Sequence, residues 1–113
     1  MDRALQALAD PHRREILRLA WSKELPAGEI ASHFAMARPS VSYHLRILTN
    51  ADLLAERREG TRRLYKARTE TMQSLRQFFE DYWDWALPRL RDVAEADQAN
   101  QRRKRRTTKK EEH

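Results

Sequence analysis

The chain has 113 residues, is 40% hydrophobic and 35% charged, and carries two glycines, no cysteine and a net charge of +6. That length suits one small domain with a single core, and the charge and scarcity of glycine favour a helix-rich protein over a sandwich or barrel. Without cysteine there is neither a disulfide framework nor a thiolate metal site, and no apolar run is long enough to span a membrane. The opening "MDRALQALADPHRREIL" mixes acids and arginines among its leucines, unlike a signal peptide, so a cytoplasmic protein is expected.

The order of the charges matters more than their sum. Residues 1–37 balance, 38–68 carry +5, 69–101 carry −4, and the tail from Arg102 carries +5. Two separate basic zones attract a polyanion, and nucleic acid is the usual one. Either run taken alone is equally compatible with a solvated face.

In chain order, "RALQAL" gives a short amphipathic helix with Leu5 and Leu8 on one side. Asp10 as a cap and Pro11 as a first helical residue predict a helix over 11–21. "SKELP" breaks it. "AGEIASHFAM" is the next helix, with Ile30, Ala31 and Phe34 inward, and "ARPS" separates it from a further helix over about 38–50. Two short helices joined by a tight turn form a helix-turn-helix pattern. "LLAERREGTRRLYKA" then predicts a β-hairpin, with strands over 53–58 and 61–67 and a basic tip of Arg57, Arg58, Arg62 and Arg63.

From Thr71 onward a long helix is expected. Met72, Leu75, Phe79, Tyr82, Ala86, Leu90 and Val93 recur at spacings of three or four, and Phe78, Trp83, Trp85 and Leu87 widen the apolar surface beyond one stripe. Such a helix needs contacts beyond its own core, unless it is simply an intramolecular core helix. Pro88 should kink or restart it. The final "NQRRKRRTTKKEEH" has no apolar residue, so residues 101–113 are expected to be a disordered basic tail after a domain over 1–100. That tail is either a solubilising end or a sequence-independent DNA arm.

The 38–50 helix is the candidate site. A helical wheel turns Val41, Leu45 and Leu48 inward. Tyr43, Arg46, Asn50 and the corner made by Arg38, Pro39 and Ser40 face outward, with Ser42 on the flank. Arginine can read guanine edges, hydroxyls and helix-start amides suit phosphates or bases, and a helix fits the major groove. A basic hairpin next to it would add affinity with little sequence information. The alternative is a charged tip that blocks edge-to-edge sheet pairing.

Taken together, "ALADPHRREIL", "LPAGEIASHF", "ARPSVSYHLRIL" and "ADLLAERREGTRRLYKA" resemble, in order over about residues 3–90, the ArsR-type family of winged helix-turn-helix repressors. The resemblance implies a mainly α fold with a small β-hairpin and a homodimer built on the first and last helices. Its interface would draw on Leu5, Leu8, Phe79, Tyr82, Trp83, Ala86 and Leu90. The partner would be double-stranded DNA with a near-palindromic operator, read chiefly by Arg38, Ser40, Ser42, Tyr43 and Arg46, with Pro39 among the DNA-contacting residues and His44, Arg57, Arg58, Arg62 and Arg63 at phosphates. Two positions depart from the family pattern. Ala37 stands where serine is frequent, which removes a helix cap, and Asp52 stands where glycine is usual.

Many members of that family sense metals. Here the last helix has Glu80, Asp81, Asp84, Asp92 and Glu95 but no histidine, and the histidines (His12, His33, His44, His113) form no i, i+4 pair. No metal or other cofactor is therefore assigned, and the chain looks more like the metal-independent, autorepressor-like branch. A site folded from His12, His33 and acids stays open. So do an unidentified inducer and a partner protein on the last helix that does the sensing. Nothing converges on an enzyme: there is no glycine-rich phosphate loop, and Ser40, Ser42 and His44 on an exposed helix have no orienting third group.

Overall fold

The computed structural model describes residues 1–111. In chain order it contains α1 (Asp2–Leu8), α2 (Pro11–Leu19), β1 (Leu25–Pro26), α3 (Ala27–Ser32), α4 (Arg38–Asn50), β2 (Leu54–Glu59), β3 (Arg62–Ala67) and α5 (Thr69–Glu111). The chain divides into two compact units, Met1–Leu75 and the part from Arg76 on.

In the first unit the caps set the helix starts. The Asp10 carboxylate accepts from the backbone N–H groups of His12 (2.8 Å) and Arg13 (3.3 Å), which satisfies two donors that α2 leaves free. α2 stops at Leu19, two residues before the expected end. The next carbonyl, of Ala20, accepts from the Ala67 N–H at 2.9 Å and so is committed to the end of β3. α3 is likewise shorter than its sequence pattern, ending at Ser32.

α4 has the expected bounds, and its N-cap Ala37 makes no side-chain capping bond. Its C-terminus is a Schellman turn: Leu53 N–H donates to the Leu48 carbonyl, and Asp52 N–H to that of Thr49. The turn requires a left-handed residue, and Asp52 supplies it at φ 58°. Because the Leu53 N–H is used this way, β2 begins at Leu54, one residue later than the sequence suggests.

β2 and β3 pair antiparallel from Leu54↔Ala67 to Glu59↔Arg62. Gly60 (φ 63°) and Thr61 form the two-residue loop, and only the first has positive φ, the pattern of a type II′ turn. The sequence reading missed β1, which joins the other side of β3 through Leu25↔Tyr65 and Pro26↔Leu64. The core lies between the helices and this small sheet. Ile16, Ile30, Val41, Leu48, Leu53 and Leu54 are its fully buried larger side chains, and Leu45, Tyr65 and Leu75 complete it. Leu5 and Leu8 pack against it half-buried.

α5 begins with the Thr71 hydroxyl donating to the Asp52 carbonyl at 2.6 Å. The helix is continuous past Pro88, so the restart allowed by the sequence does not occur. Proline supplies no N–H for the carbonyl four residues back, and one turn of the ladder is weakened there. Beside it, the Arg89 guanidinium donates to the Trp85 carbonyl at 2.6 Å and lies 4.2 Å from the centre of the Trp85 ring.

The helix runs on through Glu111, over most of the stretch 101–113 expected as a basic tail. Arginine, lysine and glutamine have good helix propensity, and lengthening an existing helix avoids the cost of nucleation. Only Glu112 and His113 of that tail lie outside the described residues. Among the described residues no helix is long and apolar enough to cross a membrane.

Candidate nucleic-acid interface

α4 buries Val41, Leu45 and Leu48 and leaves its other side open, as its periodicity dictates. Arg38, Pro39, Ser40, Ser42, Tyr43 and Arg46 are all exposed. Tyr43 keeps 54% of its surface accessible, a large fraction for a ring of that size, so it is not held as a packing residue.

Between this face and the hairpin runs a groove of about 450 Å³. Arg38, Ser42 and Arg46 line it from α4, and Thr61, Arg62 and Arg63 from the tip and β3. Four arginines with one acid, Glu56, make the groove basic. Thr49, Asn50 and Thr61 add hydrogen-bonding side chains to its lining. Asn50 was already on the outward side of the α4 wheel, whereas the sequence reading did not single out Thr49 and Thr61.

The wing arginines are not equivalent. Arg57 is engaged by two carboxylates, donating from Nε and Nη2 to Glu24 (2.9 and 3.2 Å) and from Nη2 to Glu59 (3.1 Å). The bond to Arg57 holds the Glu24 carboxyl below its usual pKa and raises that of Arg57. Arg63 Nε lies 3.6 Å from Glu56 and faces Arg58 across the strands, while Arg62 is opposite Glu59; Arg58 and Arg62 stand exposed near the tip. Arg57 is thus partly neutralised inside the protein, which the sequence, with Glu24 so far away in the chain, did not reveal.

His44, expected to face DNA or contact phosphate, also has a partner within the protein. It is half-buried on the α2 side of α4, where Arg13 Nη1 lies 3.3 Å from its Nδ1. Arginine can only donate, so in the neutral ring Nδ1 is the acceptor and the proton sits on Nε2. Arg13 is itself fixed by donating to the carbonyls of Ala7 (2.6 Å) and Gln6 (3.2 Å) at the end of α1. Burial lowers the His44 pKa, and the neighbouring Arg13 and His12 add to this against the opposing pull of Asp10. Partial burial acts to raise the Asp10 pKa, but the two backbone N–H bonds and the nearby cationic groups outweigh it and bring it below the ordinary carboxylate value.

On the second unit, the apolar side chains of α5 stand in solvent. Phe78, Phe79, Tyr82, Trp83, Trp85, Leu87, Leu90 and Val93 are exposed, and only Ala86 among the expected interface residues there is buried. Phe78 stacks on Tyr82 at 6.4 Å and meets Phe79 edge-on at 5.6 Å, so the rings form a preassembled apolar surface.

A family model described as a helix-turn-helix domain matches residues 8–57. An HTH-type transcriptional regulator of Mycobacterium tuberculosis is 41% identical over 86 residues, covering 76% of this chain and 80% of that protein. The transcriptional repressor SdpR of Bacillus subtilis is 38% identical over 73 residues, covering 65% and 81%. Among solved structures, similarity extends to the homodimeric winged helix-turn-helix DNA-binding domain of a possible ArsR-family transcriptional regulator of Mycobacterium bovis. The TM-score is 0.60 at 31% identity, over 74% of this chain and 77% of that one.

Proposed function

The chain belongs to the ArsR-type family of winged helix-turn-helix transcriptional regulators and is not an enzyme, and from that premise we propose that it is a homodimeric repressor that occludes a promoter. The observation that carries the proposal is the basic groove between α4 and the wing, lined by Arg38, Arg46, Arg62 and Arg63. In this reading α4 enters the major groove. Arg38, Ser40, Ser42, Tyr43 and Arg46 reach base edges, with Pro39 setting the start of the helix. Arg58, Arg62 and Arg63 hold phosphates beside it. Arg57 contributes less, because Glu24 and Glu59 already share its charge.

The dimer is formed by the apolar surface of α5, with Phe79, Tyr82, Trp83, Ala86 and Leu90 at its centre, and by α1 with Leu5 and Leu8. Burying exposed rings of this number gives the association its apolar drive, at about 25 cal/mol for each Å² removed from water. Two-fold symmetry then presents two α4 helices to half-sites one helical turn apart, hence a near-palindromic operator.

The test is fluorescence anisotropy of chelator-treated protein on its own upstream promoter DNA and on a scrambled duplex at two salt concentrations. Preference for the promoter supports a metal-free, sequence-specific repressor. Equal and steeply salt-dependent binding to both duplexes would mean that only the phosphate contacts are real.

A further inference from the structure

The fold assembles a group of possible metal ligands that does not belong to the DNA-facing groove. Asp10, the cap of α2, His12 in the first turn of α2 and His44 on α4 each offer one ligand atom, and these atoms lie within 4.8 Å of one another. His33, the other histidine weighed in the sequence, is not in this group. From this convergence we propose a divalent-metal site of two imidazoles and one carboxylate, Asp10–His12–His44, suited to Zn(II).

The donor set is chemically apt. Zinc accepts imidazole nitrogen and carboxylate oxygen at about 2.0–2.2 Å in tetrahedral geometry. His12 Nδ1 stands 3.5 Å from Asp10 Oδ1, and the 51% exposed His12 side chain is free to adjust to a metal. Asp10 is already oriented: its Oδ1 accepts from two backbone N–H groups and lies 3.5 Å from His12 Nδ1, and a carboxylate has further lone pairs for a cation. Three protein ligands leave a fourth position for water on the exposed His12 side.

Arg13 is the competing element. Its guanidinium is positive and donates toward His44 Nδ1. A metal on Nδ1 replaces that donor directly. A metal on Nε2 forces the ring proton onto Nδ1, where arginine has no lone pair to receive it. Either way, loading the site breaks the Arg13–His44 bond. The carbonyls of Gln6 and Ala7 still hold Arg13 when this happens. The metal would then join the start of α2 to the middle of α4.

The site stands on its own geometry, and its test uses no DNA, so it holds or fails separately from the reading of the groove. Full-length protein stripped with chelator is titrated with Zn(II) by calorimetry, beside His12→Ala, Asp10→Asn and His33→Ala. Asparagine still caps a helix, so Asp10→Asn removes the charge and keeps the fold. The expected result is one binding event in the parent and in His33→Ala, weakened at least about tenfold in the other two. Because the ligands come together only in the folded chain, Zn(II) should also raise the melting temperature of the parent but not of His12→Ala. No binding in the parent, or equal binding in His12→Ala and Asp10→Asn, would overturn the site.

Discussion

Arg57 on β2 is clamped by Glu24, 33 residues earlier, through two hydrogen bonds to a single carboxylate. The pair is solvent-exposed, so its value for stability is small, as for most surface ion pairs. Its consequence is for the field of the wing. Glu24→Gln keeps a hydrogen-bond acceptor but frees a positive charge beside Arg58. We expect the variant to bind any duplex several-fold more tightly, with a salt dependence steeper by about one counterion. Anisotropy titrations on promoter and scrambled DNA check this, and an unchanged slope would show that Arg57 does not approach phosphate.

Replacing Tyr43 and Arg46 by alanine should remove promoter preference, at a cost of about 1–3 kcal/mol for each lost base contact. Replacing Arg58 and Arg62 should weaken both duplexes alike and lower the salt slope by about one per residue. Competition binding with the two duplexes separates these patterns. A uniform loss on replacing Tyr43 and Arg46 would move the reading face elsewhere.

Tyr82→Glu together with Leu90→Glu should convert a dimer into a monomer, since each places a charge in a surface meant to be apolar. Sedimentation measures the change directly. Duplex affinity should fall with it, because two half-sites are then bound independently. A pair of glutamates that leaves the sedimentation coefficient unaltered would exclude this face of α5 as the interface.

Leu48→Ala should destabilise the first unit by about 2–5 kcal/mol, because the side chain is fully buried and its removal leaves a cavity. Urea unfolding followed by circular dichroism gives the difference. Ala37→Ser works in the opposite direction. It supplies the capping oxygen that α4 lacks, and a gain of roughly 1 kcal/mol is expected in the same assay.

Local chemistry made much of this fold readable in advance. Pro39 and the spacing of Val41, Leu45 and Leu48 gave α4 its bounds, and the usual glycine position occupied by Asp52 is indeed a left-handed turn. β1 was not readable, because two residues carry no period and one of them, Pro26, argues against a strand; only pairing with Leu64 and Tyr65 makes it one. The same holds for His44 at the candidate site. Its side chain is turned by Arg13, 31 residues away, and no local pattern reports such a partner. The exposed face of α4 needed only periodicity, whereas the groove also needed the distance between α4 and the wing.

The unbroken α5 gives the order of charges in the sequence a further meaning. An α-helix is a long electric dipole, positive at its start and negative at its end. α5 carries Glu70 in its first turn and a run of bases from Arg102 toward its end. The side-chain charges therefore run in the sense that the peptide dipole favours. Over 102–111 the helix advances about 1.5 Å per residue, so this basic end spans roughly 15 Å along the helix axis.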